Sequence, residues 1–240
     1  MPTLSFHRLT KTYGAVSVLD GFTATALPGR VTAFLGVNGA GKTTSMRIML
    51  GLSDPTSGTA TVDGIRYRDL PHPTRVVGAV LDQGFHPNRT ARHHIRLTAM
   101  QAGVPAAPGE ALLERFGLGD AADRRVGGYS LGMRQRLALA SALVGNPSVL
   151  VLDEPLNGLD PDGIREMRRF VRWFADAGGT VFLSSHLLGE VAAVADDLVV
   201  IHHGRLAAAG PVDELVTADT DLESVFHHLI GSTDAQEAWS

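Results

Sequence analysis

A nine-residue run carries the residue types that bind a nucleotide phosphate. It reads Gly36-Val37-Asn38-Gly39-Ala40-Gly41-Lys42-Thr43-Thr44 and matches the pattern G-x-x-x-x-G-K-[ST] in full. Glycines let backbone N–H groups turn inward around a phosphate and tolerate positive φ. Lys42 can reach the β- and γ-phosphates as a point charge, and the Thr43 hydroxyl can ligate Mg²⁺. We therefore predict a nucleoside triphosphate site here. The predicted binding residues are Gly36, Asn38, Gly39, Ala40, Gly41, Lys42, Thr43 and Thr44.

The elements around this run suit a phosphate loop. Residues 30–35 form a short apolar, partly β-branched stretch that is typical of a buried strand. Residues 44–50 place apolar side chains at helical spacing, and the start of such a helix supplies unpaired N–H donors and a partial positive charge. An incidental lysine in a glycine-rich turn would not require this strand-to-helix context.

Two carboxylates form the second chemical group. Residues 148–152 are a hydrophobic strand that ends in Asp153 and Glu154. Taken alone, this pattern is equally typical of an acidic turn after a strand. Beside a phosphate loop it favours a metal site, because ligands of parallel α/β proteins lie at the carboxyl ends of the strands. Asp153 is expected to hold Mg²⁺, usually through water, and Glu154 to orient and polarise the attacking water.

The hydrophobic pattern predicts strands in the first third of the chain, a helical block over 86–146, and alternating strands and helices after it. Such alternation implies a largely parallel sheet. We expect Trp173 and Phe174 to be core residues, and Pro105 and Pro108 to interrupt the helical block. Strands are predicted at 4–9, 18–27, 31–36, 58–64, 76–81, 149–152, 180–184 and 198–202. Helices are predicted at 44–50, from 88 or 90 to 100, and at 110–116, 131–144, 162–177, 187–195 and 222–230.

Composition narrows the class of protein. The 240 residues are enough for one sizeable α/β domain, and the formal charge of −4 argues against a nucleic-acid target. Cysteine is absent, which excludes a disulfide framework and thiolate metal sites. The first eight residues lack the apolar core of a signal peptide, and no apolar run reaches the ~18 residues of a membrane span. We expect a soluble cytoplasmic protein that needs a separate protein for any work across a membrane.

A helix start lies between the phosphate loop and the two carboxylates. It reads Tyr129-Ser130-Leu131-Gly132-Met133-Arg134-Gln135-Arg136, and by itself Ser130 is an ordinary N-cap. In this order the three groups resemble the ATP-binding subunit of an ABC transporter, over nearly the whole chain. That family usually has Leu-Ser-Gly-Gly-Gln here, and its serine and second glycine contact the γ-phosphate held by the opposite subunit. Ser130 and Gly132 match those positions, whereas Tyr129, Leu131 and Met133 differ.

Four further positions follow the pattern of this family. Tyr13 resembles the aromatic residue that stacks on adenine, and Gln83 resembles the glutamine that touches Mg²⁺ and the water and senses the membrane partner. Asp160, in Asn157-Gly158-Leu159-Asp160-Pro161, resembles part of the loop that couples the two sites of a dimer. His186 resembles the switch histidine that hydrogen-bonds the γ-phosphate. With Glu154, Lys42 and Gln83, it would complete the catalytic set.

The resemblance implies an α/β phosphate-loop NTPase core with a mostly parallel sheet and an N-terminal antiparallel β-subdomain. Residues 1–85 and 147–240 would form this core. Residues 86–146 would form an inserted helical subdomain that contains the helix beginning at Ser130, which we call the signature helix. It also implies a head-to-tail homodimer around two Mg-ATP. The ATPase would power a separate membrane permease and lie peripherally on the inner face of the cell membrane.

Export is the expected direction of transport. The 129–133 segment and the short tail near residue 230 resemble bacterial exporter subunits of the multidrug or antibiotic-resistance type, whereas importer subunits often add a regulatory domain after the core. The cargo would be a drug, an antibiotic or a lipid-like substrate. The alternatives are a soluble ABC ATPase that acts on ribosomes or DNA and, more distantly, an unrelated phosphate-loop ATPase.

Overall fold

The computed structural model describes residues 1–81, 84–216 and 221–237, and side chains as far as residue 231. Gln83 lies outside these residues, so its predicted role stays a prediction. In chain order the strands and helices are β1 (Leu4–Tyr13), β2 (Val16–Ala26), β3 (Val31–Leu35), α1 (Lys42–Met49), β4 (Ser57–Val62), α2 (Pro73–Val76), β5 (Val77–Val80), α3 (Ala91–Ala102), α4 (Ala106–Arg115), α5 (Leu131–Leu143), β6 (Val149–Leu152), α6 (Pro161–Asp176), β7 (Thr180–Ser184), α7 (Leu188–Ala192), β8 (Asp197–His202), β9 (Arg205–Pro211), α8 (Val212–Leu215) and α9 (Leu222–Glu237).

The central sheet has six strands in the order β5-β6-β7-β3-β8-β9. All neighbours are parallel except β9, which runs antiparallel to β8. Every residue of β3, β6 and β7 is buried, as expected for strands covered on both faces. The carboxyl ends of these three adjacent strands therefore meet at one edge. The phosphate loop follows β3, the two carboxylates follow β6, and His186 follows β7.

A second, antiparallel sheet has the order β2-β1-β4. Four buried rings join it to the central sheet. Phe6 and Phe22, from β1 and β2, have centroids 5.3 Å apart, and Phe34 and Phe182, from β3 and β7, have centroids 4.9 Å apart. The ring of Phe6 also lies 5.5 Å from that of Phe182. The mostly parallel sheet and the N-terminal antiparallel sheet are thus both confirmed.

Helices α3, α4 and α5 pack around a small apolar cluster of their own, which includes Ile95, Leu113 and Leu137. Helix α5 also faces the central sheet, because Leu139 belongs to the core that covers it. A Cβ on Gly78 of β5 would lie 2.3 Å from the carbonyl oxygen of Ala142, so helix and strand touch along their backbones. The boundaries proposed for a helical subdomain over 86–146 stay a prediction.

Several expectations about local structure were wrong. Trp173 is 48% exposed, under the Arg115 guanidinium at 4.3 Å from its ring, whereas Phe174 is buried as expected. Pro108 does not interrupt the helical block. It is the third residue of α4, where a backbone N–H has no intrahelical acceptor and proline is tolerated. Val76 ends α2 instead of opening β5. In the described part of the chain, no helix combines the length and apolar character needed to cross a membrane.

Candidate phosphate and metal site

The phosphate loop can be built only with glycines at two positions. A Cβ on Gly36 would lie 2.5 Å from the carbonyl oxygen of Ile201, and one on Gly41 would lie 2.6 Å from Leu19 Cδ2. Gly41 also has φ of 108° and Gly39 has φ of 83°, a region that favours glycine. The loop therefore lies tightly between β2 and β8. Asn38 and Gly39 are exposed at its crest, Ala40 is buried, and Thr44 is half-buried in α1.

Lys42 is buried inside the curl of this loop, with only 7% of its surface exposed. Its Nζ donates to the carbonyl oxygens of Gly36 at 2.5 Å and Val37 at 3.3 Å. Burial lowers the pKa of Lys42, and the nearby carboxylates of Glu154 and Asp153 raise it to a lesser extent.

The start of α1 offers further donors. Gly41, its N-cap residue, has no side chain to cap the helix, and no acidic residue lies in the first turn. The first N–H groups of an α-helix have no intrahelical acceptor. These donors and the buried ammonium of Lys42 fit a phosphate, because both favour an anion at the same place.

Thr43 and Asp153 face each other across the site. Thr43 Oγ1 donates to Asp153 Oδ2 at 2.6 Å, which joins the first turn of α1 to the end of β6. The backbone N–H of Asp153 donates to the carbonyl oxygen of Val80 at 2.7 Å and fixes the strand end. A hydroxyl and a carboxylate are oxygen ligands of the kind that Mg²⁺ prefers. The residues therefore fit a magnesium ion held with the nucleotide.

Glu154 and His186 form the second contact between strand ends. His186 Nδ1 lies 2.8 Å from Glu154 Oε2, and the backbone N–H of His186 donates to the same oxygen at 3.3 Å. Glu154 has φ of 49°, an uncommon conformation for a residue with a side chain. The turn after β6 thus directs the glutamate toward the histidine. The His186 side chain is 53% exposed, so its other ring nitrogen can face a bound ligand.

Sequence reasoning missed two buried polar residues that brace the site. Ser184 Oγ donates to Asp153 Oδ1 at 2.5 Å and accepts the backbone N–H of Glu154 at 2.9 Å. Gln135 of α5 donates from Nε2 to the carbonyl oxygen of Pro155 at 2.9 Å. In the sequence, Ser184 stands out only as a polar residue at the end of an apolar run.

Tyr13 lies at the tip of the hairpin between β1 and β2, with its ring 52% exposed. The Lys11 ammonium lies 4.6 Å from the ring centroid, and the hydroxyl is 3.4 Å from Ser53 Oγ. The hairpin runs beside the phosphate loop, because Leu19, the partner of Lys11, touches the position of Gly41. An exposed ring at this place is compatible with stacking on a base.

Ser130, Gly132 and Asp160 lie together around a cavity of about 490 Å³ between α5 and α6. Ser130 caps α5 by accepting the N–H of Met133 at 3.2 Å, and Asp160 caps α6 by accepting that of Gly163 at 2.7 Å. The structure thus forms two groups from the predicted site residues: this one, and the group of Lys42, Thr43, Asp153, Glu154 and His186.

Two of the three departures from the usual Leu-Ser-Gly-Gly-Gln motif, Tyr129 and Leu131, have structural explanations. Tyr129 is 3% exposed, and its hydroxyl donates to the carbonyl oxygen of Ala121 at 2.6 Å, so it packs in the helical cluster. Leu131 is 47% exposed and covers Gly158, where an added Cβ would overlap its side chain. The substitutions therefore change the packing around Ser130 and Gly132 and leave Ser130 exposed.

The sequence profile of the family described as "ABC transporter" matches residues 19–157, which include the phosphate loop, the signature helix and both carboxylates. The chain belongs to the ABC transporter family. It is 40% identical over 211 residues to the bacitracin transport ATP-binding protein BcrA of Bacillus licheniformis, covering 86% of this chain and 69% of that protein. It is 36% identical over 230 residues to the lantibiotic transport ATP-binding protein SrtF of Streptococcus pyogenes, covering 95% and 97%.

A solved structure of an ATP-binding subunit of an ABC transporter superimposes with a TM-score of 0.86 and 28% identity. The match covers 94% of this chain and 98% of that one. The α/β phosphate-loop fold and the assignment as an ABC ATPase, which binds nucleotide and hydrolyses ATP, are therefore both confirmed. The distant alternative of an unrelated phosphate-loop ATPase is excluded.

Proposed function

We propose that this ABC ATPase hydrolyses Mg-ATP at the edge formed by β3, β6 and β7, and that closure around two nucleotides drives a separate membrane permease. The observation that supports this most strongly is the convergence of two contacts at one edge. These are Thr43 with Asp153 at 2.6 Å and Glu154 with His186 at 2.8 Å. Thr43 and Asp153 have oxygen atoms that suit a metal ion, and Glu154 and His186 suit the attacking water.

Each residue has a distinct role in this proposal. Lys42 and the N–H groups of the loop bind the β- and γ-phosphates, and Tyr13 stacks on the adenine. Thr43 and Asp153 would hold Mg²⁺, which neutralises phosphate charge when bound. Glu154 orients the water and takes its proton. His186 contacts Glu154 through Nδ1, and its other ring nitrogen faces the γ-phosphate.

We infer a dimer from the residues that lie around the cavity between α5 and α6. Ser130 is exposed at the start of α5, and Asp160 is exposed beside it at the start of α6. In a head-to-tail homodimer these residues and Gly132 would face the nucleotide held by the phosphate loop of the other copy. Two Mg-ATP would then lie between the subunits, and hydrolysis would allow the two subunits to separate.

The names of the two relatives support a transporter. One is named for the transport of bacitracin and the other for the transport of a lantibiotic. We infer that this chain lies on the inner face of the cell membrane through its permease and powers export of a drug, an antibiotic or a lipid-like compound. The formal charge of −4 disfavours the alternative, a soluble ABC ATPase that acts on ribosomes or DNA.

An affinity capture tests the membrane partner. Tagged Glu154→Gln protein is recovered from detergent-solubilised membranes with Mg-ATP present, and Glu223→Gln, at an exposed position on α9, is the matched control. We expect a polytopic membrane protein to copurify, with more of it recovered with Glu154→Gln than with the control. Recovery of ribosomes or nucleic acid without a membrane protein would contradict the transporter proposal.

A further inference from the structure

Ser184 hydrogen-bonds to both Asp153 and Glu154, the two acidic residues that follow β6. It is the last residue of β7, and it is fully buried. Its hydroxyl makes two contacts, as the donor to Asp153 Oδ1 at 2.5 Å and as the acceptor of the Glu154 N–H at 2.9 Å. A hydroxyl has one proton and two lone pairs, so both contacts can form at once.

The first contact orients Asp153. Ser184 holds Oδ1, which leaves Oδ2 to face Thr43 Oγ1 at 2.6 Å. A carboxylate with one oxygen held in this way cannot rotate about χ2 without losing a charge-assisted hydrogen bond. The oxygen that faces the proposed metal position is therefore fixed by a residue from the neighbouring strand.

The second contact stabilises the turn that carries Glu154. Glu154 has φ of 49°, a backbone conformation that is costly for any residue other than glycine. The surrounding structure must therefore hold the residue in this conformation. The hydrogen bond from its N–H to Ser184 is one such restraint. This turn places Glu154 Oε2 at 2.8 Å from His186 Nδ1. One hydroxyl thus restrains both the metal-facing aspartate and the water-facing glutamate.

We propose that Ser184 is a positioning residue that sets the Mg²⁺ requirement of this site and aligns Glu154 for hydrolysis. The inference rests on the proposed Mg-ATP site and adds to it a residue from outside the phosphate loop and the two carboxylates. Partners of this kind, which hold a ligand of the metal, commonly change metal affinity on the order of 10–100-fold when they are removed.

The neighbouring residue, Ser185, provides a matched control. It is also buried, with 1% exposure, and its hydroxyl accepts the N–H of Leu187 at 3.0 Å. Ser185→Ala removes a buried hydroxyl from the same strand end without touching either carboxylate. Ser184→Cys is the second informative variant, because a thiol has nearly the shape of the hydroxyl but is a weak hydrogen-bond donor and acceptor.

The experiment measures binding of trinitrophenyl-ATP to the full chain in EDTA and across a Mg²⁺ titration, together with kcat and the melting temperature. For Ser184→Ala and Ser184→Cys we expect affinity in EDTA to change by less than about twofold, since no nucleotide contact is lost. The Mg²⁺ concentration at which nucleotide binding shows half of its Mg²⁺-dependent change should rise on the order of tenfold or more. The kcat should fall by a similar factor. Ser185→Ala should keep the Mg²⁺ requirement of the wild type.

The outcomes separate this inference from the function on which it rests. A folded Ser184→Cys or Ser184→Ala protein with the Mg²⁺ requirement of the wild type would overturn the inference. An equal shift in Ser185→Ala would also overturn it, because the effect would then belong to packing at the strand end. If Ser184→Ala protein does not fold, the Mg²⁺ requirement of Ser184→Cys protein decides whether the inference holds. A wild-type protein without any Mg²⁺-dependent nucleotide binding would instead contradict the proposed function.

Discussion

Thr43 Oγ1 lies 2.6 Å from Asp153 Oδ2, although the two residues are 110 positions apart in the sequence. The contact joins the phosphate loop to the end of β6, where the two carboxylates of the proposed site follow the strand. Loss of the Thr43 hydroxyl should therefore impair the metal site more than the fold.

We expect Thr43→Ala to lower Mg²⁺-dependent ATP hydrolysis by about tenfold or more, because an oxygen ligand is lost. Thr43→Ser keeps the hydroxyl and is the matched variant, with activity near that of the wild type. Hydrolysis rates over a Mg²⁺ titration give the measurement. Equal activity of Thr43→Ala and Thr43→Ser would show that this hydroxyl does not serve the metal.

Lys42 should destabilise the protein when no nucleotide is bound. Its pKa is lowered by burial, so the unfolded chain binds more protons than the folded chain between the two pKa values. Stability without nucleotide should then rise as the pH increases from the folded-state pKa toward 10.5, the usual pKa of a lysine. At neutral pH we expect Lys42→Met to melt at a higher temperature than the wild type and to lose ATP binding.

The only other lysine in the chain supplies the control for stability. Lys11 is partly exposed on β1, and Lys11→Met should change the melting temperature little. The comparison uses thermal melts without nucleotide at several pH values. A Lys42→Met protein that melts below the wild type at neutral pH would show that burial of this ammonium does not destabilise the fold.

Gly36→Ala tests how tightly the phosphate loop is packed. The added Cβ would lie 2.5 Å from the carbonyl oxygen of Ile201, so the loop or β8 must shift. We expect a loss of about 1–3 kcal/mol in the free energy of unfolding and weaker ATP binding. Gly189→Ala, on α7 with open space around the new Cβ, should be neutral or slightly stabilising. Denaturant unfolding compares the two. Equal stability of the two variants would show that the phosphate loop can accommodate a Cβ at position 36 without a steric clash.

His186→Ala should separate chemistry from binding. The ring contacts Glu154 at 2.8 Å, whereas the phosphate loop holds the nucleotide. We expect kcat to fall on the order of a hundredfold or more, with nucleotide affinity changed only slightly. His228→Ala, at an exposed position of α9, is the control and should behave as the wild type. A His186→Ala protein that loses affinity and keeps kcat would reverse the assigned role.

The sequence predicted some elements to the residue and missed others. The bounds of β6 and β7 were as expected, because each is a short strand whose apolar run is bounded by polar residues. Strand β9 was not expected. Its segment, Arg205–Pro211, is rich in alanine and glycine, and it becomes a strand by pairing with β8 across a tight turn.

The same contrast holds within the site. Lys42, Thr43, Asp153 and Glu154 were predicted from motif spacing, since the chemistry of phosphate and metal binding restricts the residue types. The role of Ser184 could not be predicted, because it depends on β7 lying beside β6 in the sheet. Trp173 was expected in the core as a large apolar residue of α6, but it is 48% exposed, and its ring lies against the Arg115 guanidinium and the Phe170 ring.

ATP turnover by Glu154→Gln protein, with Glu223→Gln as the control, tests the proposed mechanism most directly. We expect Glu154→Gln protein to lose turnover by at least about a hundredfold and still to bind Mg-ATP, because the amide cannot take the proton of the attacking water. Its mass in solution should double when Mg-ATP is added, as expected for a trapped dimer. Turnover equal to that of the wild type would contradict the assignment of Glu154 and, with it, the proposed mechanism.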